Sequence, residues 1–164
     1  MVIKEGRFWL DDGVMHSADL KELPERNWWS LMVPPVKPSS ALILGVCANT
    51  TGRLMERRYG PIRCTKVDVA ELAGCHVDFL MSAERFACEC NDQFDWAIVD
   101  LFNGATVPSF VFGREFAADL ARICSNAMVN VPLDREDMPH WLTRWNKVAA
   151  SHFEGNALIQ YARI

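Results

Sequence analysis

The sequence predicts an α/β fold: a doubly wound, mostly parallel, Rossmann-like sheet with helices on both faces and a short N-terminal β-hairpin. Three observations carry this expectation. Strand-like and helix-like segments alternate from residue 41 onward. Two of the strand-like runs, 41–45 and 95–100, are apolar on both faces, as buried parallel strands are. Glycine or an acidic residue stands where these runs end, at Gly45 and Asp100.

Taken in order, RFWLDDGVMHS (7–17) reads as a hairpin, with Asp12-Gly13 supplying the two positive-φ positions of a type I′ turn. A helix over about 21–32 contains Trp28 and Trp29. VPPVKPSS follows, a stiff connector whose three prolines exclude helix. Next come a strand at 41–45, a helix at 51–58, a strand at 62–67, a short strand at 77–81 and a helix at 84–90. The strand at 95–100 leads to a helix at 114–124, a strand at 127–131, a helix at 135–152 and a last strand at 157–162. The expected division is 1–38 (hairpin, helix and connector) and 39–164 (a nucleoside-binding domain). With 164 residues, half of them hydrophobic, the chain has enough apolar surface for one real core.

Composition removes several function classes. A net charge of −4 and the absence of a basic block argue against nucleic acid; Arg53, Arg57 and Arg58 share their helix with Glu56 and read as a solvated face. No run approaches the roughly 20 apolar residues of a membrane helix, and Lys4, Glu5 and Arg7 leave no signal-peptide hydrophobic region. The expectation is therefore a cytoplasmic protein with reduced thiols and no membrane partner. The six cysteines show no CxxC spacing, so no metal is expected, and most of them read as buried small hydrophobes. No P-loop, nucleophile elbow or paired-carboxylate hydrolase pattern occurs. His76, His140 and His152 show no metal spacing and receive no role.

In a doubly wound sheet, ligands bind beyond the carboxyl ends of the strands. That rule selects Gly45, Asp68, Ser82 and Asp100. Gly45 permits a tight turn into a helix N-terminus. Asp68 follows 23 residues later, near the spacing at which an acid accepts from ribose hydroxyls. The plainer alternative for such acids is a helix cap or a turn.

Four segments then resemble, in order, the spermidine synthase (aminopropyltransferase) family. LDDGVMHS resembles its hairpin L-D-G-x-x-Q-S, and ALILGVCANTTGRL its glycine-rich nucleotide loop. DLFNGATVPSF, from Asp100, resembles its D-L-F-D-G followed by V-P, and Glu154-Gly155-Asn156-Ala-Leu-Ile its closing strand. The resemblance implies a substrate pair of decarboxylated S-adenosylmethionine, or S-adenosylmethionine itself, with a small-molecule amine. It also implies a homodimer. Asp100 would be the catalytic acid that deprotonates and orients the amine. Gly45, Asn49, Asp68, Ser82, Ala83 and Leu101 would surround the nucleoside, with Asp68 on the ribose. His16, Trp28 and Asn103 would face the amine.

Departures from the family pattern carry their own expectations. Val46, Cys47, Ala48 and Asn49 replace a glycine-rich stretch and would obstruct close backbone approach. Ser82 stands where an Asp contacts the adenine amino group. Asn103 replaces the second acid of a D-x-x-D pair, which weakens polyamine binding. His16 stands for a hairpin Gln and is read either as a ligand contact or as a surface histidine. Two alternatives to aminopropyl transfer therefore stand: a methyltransferase on the same fold, and a non-catalytic family member acting as a binding protein.

Overall fold

The computed structural model describes residues 3–5, 8–11, 14–23, 27–72 and 74–164. Two sheets are present. The smaller is antiparallel and N-terminal, formed by β1 (Ile3–Glu5), β2 (Phe8–Asp11) and β3 (Val14–Ala18) in that order. The Asp12-Gly13 turn lies outside the described residues, whereas the strands it would join pair antiparallel, as expected.

The larger sheet has seven strands: β4 (Ser40–Leu44), β5 (Arg63–Asp68), β6 (Phe79–Leu80), β7 (Phe94–Val99), β8 (Cys124–Pro132), β9 (Trp145–Phe153) and β10 (Asn156–Arg163). Their order is β6-β5-β4-β7-β8-β10-β9. The first five run parallel, and β10 inserts antiparallel between β8 and β9. The chain reverses direction across the sheet between β4 and β7, so the loops after these two strands open a crevice.

Helices cover both faces. On one lie α1 (Trp28–Met32) and α2 (Thr50–Tyr59); on the other lie α3 (Ala83–Glu89) and α4 (Arg114–Ile123). The period-2 geometry of the strands divides the core accordingly. Ala41, Ile43, Trp96, Ile98 and Met128 pack with Met32 and Met55, while Leu42, Leu44, Ala97, Val99 and Val129 pack with Phe86, Phe116 and Leu120. Strand β4 is buried along its whole length, which explains its continuous apolar run.

Local chemistry sets the helix ends. Asn27 caps α1, its Oδ1 accepting from Ser30 N at 2.8 Å, and Ser82 caps α3 in the same way through Arg85 N. The expected helix over 21–32 is thereby reduced to a 3₁₀ turn (Leu20–Glu22) and α1, with 24–26 outside the described residues.

The expected helix over 135–152 does not exist. Two 3₁₀ turns, Leu133–Arg135 and Trp141–Thr143, lead instead into strand β9. Trp141 and Trp145, four apart, mimic a helical stripe, but each indole is held separately. Trp141 Nε1 donates to Val111 O at 2.7 Å and Trp145 Nε1 to Ala117 O at 2.9 Å. Pro139 removes a backbone donor just before them. Pairing with β10 then outweighs the helix propensity of the Lys147-Val-Ala-Ala segment.

Candidate functional site

The site begins at the turn after β4. Gly45 has φ +85°, and a Cβ built on it would lie 2.1 Å from the carbonyl oxygen of Asp100, so only glycine fits. Gly45 N donates to Val67 O at 3.0 Å and Asp100 N to Leu44 O at 2.9 Å, locking together the carboxyl ends of three neighbouring strands.

The substituted loop does not fill the crevice. Val46 and Ala48 are 3% and 2% exposed, and Val46 packs into the core beside Met32 and Met55. Cys47 and Asn49 take the strained positions at φ 44° and 59°; asparagine tolerates that left-handed conformation better than most residues. Asn49 lies over Gly52, where a Cβ would meet its Oδ1 at 2.1 Å. Asp68 organises this loop. Its Oδ2 accepts from Val46 N at 2.7 Å and Cys47 N at 3.1 Å, and Oδ1 accepts from Ala70 N at 3.3 Å. The carboxylate is thus engaged with backbone, and Oδ1 retains a lone pair for a ligand hydroxyl.

The N-terminal sheet is fastened to the same loop. Ser17 Oγ accepts from Ala48 N, and Thr50 Oγ1 accepts from Ala18 N at 3.0 Å. The two hydroxyls lie 3.1 Å apart. These bonds bring Met15, His16 and Ser17 to the mouth of the crevice, where the His16 ring stands edge-on to Phe102 with centroids 6.5 Å apart.

Asp100 follows β7 and points into the crevice. Asn130, on β8, donates from Nδ2 to its Oδ1 at 2.8 Å. Burial pushes the Asp100 carboxyl up to about 6, and the Asn130 bond opposes that shift. Burial likewise raises the Cys47 thiol to about 11, so it stays protonated at neutral pH.

Together these elements enclose a cavity of about 700 Å³. All ten residues selected from the sequence line it: His16, Trp28, Gly45, Asn49, Asp68, Ser82, Ala83, Asp100, Leu101 and Asn103. Asp68 and Asp100 open onto the same space. Ser82 contributes a hydroxyl already accepting from Arg85 N, and Asn103 sits in a small loop bridged to Thr106. Trp28 forms a wall between Trp29 and Phe153, at centroid distances of 4.1 and 6.1 Å. Among the described lining residues, Asp68, Asp100 and Glu154 are acidic and none is Lys or Arg.

Sequence reasoning missed three contributors. Ser17 carries no motif. Asn130 is a lone amide inside the apolar run AMVNV, and that anomaly was its available signal. Glu154 sits with φ +45° in the turn joining β9 to β10, so its position depends on a hairpin that the expected 135–152 helix precludes. Among the described residues, no group of three or more His, Cys, Asp or Glu is placed to hold a metal ion, and no helix is long and apolar enough to cross a membrane.

No family model and no curated sequence relative matches the chain. Solved structures do. Spermidine synthase from Thermotoga maritima is 12% identical, with a TM-score of 0.63 over 99% of this chain and 72% of that one. A spermidine synthase in complex with the transition-state analogue AdoDATO gives a TM-score of 0.65 at 12% identity, over 99% and 73%. The protein yhhF of Escherichia coli, assigned as a methyltransferase, gives 0.59 at 15% identity over 96% and 95%. The chain therefore has the Rossmann-like fold shared by class I S-adenosylmethionine-dependent methyltransferases and spermidine synthases.

Proposed function

We propose that the chain is a transferase of the spermidine synthase type, moving an aminopropyl group from decarboxylated S-adenosylmethionine to an amine. The observation that carries this reading is the charge of the cavity: three carboxyl groups and, among the described lining residues, no Lys or Arg. A donor that retains its carboxylate would meet like charge there. The decarboxylated donor offers an ammonium group and a sulfonium instead.

The residues fit the donor's nucleoside. Asp68 Oδ1 faces the ribose, the Gly45 turn leaves room for close approach, and Ser82 and Ala83 border the base. The amine's lone pair attacks the carbon bonded to sulfur. The carbon–sulfur bond breaks with its electron pair passing to sulfur, which leaves as neutral methylthioadenosine. Asp100 takes the proton the amine must lose, and a carboxyl titrating near 6 is ionised and a competent acceptor at neutral pH.

Methyl transfer is the second reading, favoured by the overlap with yhhF across nearly the full length of both chains. Incubation with each donor and a panel of amines, followed by mass analysis, separates the two by a gain of one aminopropyl unit or one methyl. Calorimetry with methylthioadenosine tests the shared pocket. Binding that Asp68→Ala weakens by about 1–3 kcal/mol is expected. No heat with methylthioadenosine or either donor at millimolar concentration overturns both enzymatic readings and leaves a non-catalytic role.

A further inference from the structure

Asn103 stands where the family pattern has a second acid, yet the cavity has one from another direction. Glu154 lines it from the β9–β10 turn, on the far side from the loop that carries Asn103. Its backbone is fixed by a two-residue turn with φ of 45° at Glu154 and 87° at Gly155, and Gly155 O accepts from Leu133 N at 2.7 Å.

A second observation points to a ligand between Glu154 and Asp100. Asn130 is 2% exposed, lines the cavity, and gives its amide nitrogen to Asp100; its Oδ1 is buried with no hydrogen-bond partner. A buried carbonyl oxygen left unmatched is unfavourable until a donor arrives. Beside a carboxylate, the donor that satisfies both acceptors is an amine nitrogen carrying several hydrogens.

The register separates the two anchors. Asn130 pairs with Leu158, and Pro132 with Asn156. These rows lie about 7 Å apart along the strands, and the Glu154 turn lies beyond the outer row. One ammonium cannot serve both ends. Trp28 and Phe153 line the same cavity and give an apolar wall suited to a methylene chain and to cation–π contact with its charged end.

We propose that Glu154 is the specificity residue for the far end of the acceptor, holding a second cationic nitrogen while Asp100 and Asn130 receive the reacting one. This rests on the transferase reading above and adds the acceptor class: an unbranched amine with two separated cationic nitrogens, selected by an acid outside the family's D-x-x-D pair.

The test measures transfer from decarboxylated S-adenosylmethionine to n-butylamine, 1,4-diaminobutane and 1,6-diaminohexane by wild type, Glu154→Gln and Glu154→Asp. Wild type should prefer a diamine to butylamine by tenfold or more in kcat/KM. Glu154→Gln should raise KM for the diamines at least tenfold, leaving kcat, KM for the donor and the butylamine rate within twofold, and Glu154→Asp should restore part of the loss. Glu154 is exposed in a turn, so the variants fold, and equal melting temperatures verify this. A wild type that transfers but shows no diamine preference, or a Glu154→Gln variant with unchanged diamine KM, overturns the inference alone. A wild type that transfers to none of the three amines overturns the inference together with the reading beneath it.

Discussion

A Cβ at Gly45 would stand 2.1 Å from the carbonyl oxygen of Asp100, so the turn that opens the nucleotide loop and the residue assigned to proton transfer are in direct backbone contact. Gly45→Ala must push β4 and β7 apart at their ends while also adopting φ +85°. The expected loss is about 2–4 kcal/mol of stability, read from urea unfolding midpoints. Transfer activity should fall further than stability, because the displaced atoms belong to Asp100 itself.

Asp100 couples activity and stability in opposite directions. Its folded carboxyl titrates near 6, above the 3.8 of an unperturbed one, because burial disfavours the charge. The folded chain therefore holds this proton more tightly, and stability falls as pH rises from about 3.8 to 6, reaching a penalty of about 3 kcal/mol above that window. A base that must be ionised gives a transfer rate that climbs through pH 6 and then levels off. Asp100→Asn should lower kcat by about 10²–10⁴-fold and raise the unfolding free energy at pH 7, with little effect below pH 4. Unfolding curves at pH 4 and pH 7 check the sign: equal stability changes at both would remove the burial argument.

Ser17 joins the N-terminal sheet to the loop through Ala48 N and the Thr50 hydroxyl. Ser17→Ala leaves that buried amide without its acceptor, and about 1–3 kcal/mol of stability should be lost. Ser17→Thr keeps the hydroxyl and should recover part of it. Limited proteolysis locates the effect: cleavage N-terminal to Thr50 should accelerate in Ser17→Ala while cleavage in the seven-stranded sheet does not.

Much of this was legible in the chain because central parallel strands announce themselves. β4 and β7 are buried on both faces, so their apolar runs and the residues that end them, Gly45 and Asp100, stand out. Asp68 was found by spacing, but its grip on Val46 N and Cys47 N was not, since backbone donors leave no trace in side-chain identity. The C-terminal quarter misled for a physical reason. Strand β9 is exposed from Asn146 to His152, so it lacks the alternation that marks a half-buried strand, and its two tryptophans fall at helical spacing. Losing β9 as a strand also hid Glu154, whose place above the cavity exists only once β9 and β10 pair.

That outermost strand has a consequence for how the molecule breathes. Within the described residues β9 is bonded along one side only, to β10, and its exposed residues bear on no helix. Amide protons on its open side should exchange with deuterium long before those of β4 or β7. Whenever β9 peels away, the turn holding Glu154 loses one of its two legs, so the rim of the cavity loosens while its floor, built on the central strands, stays closed to exchange.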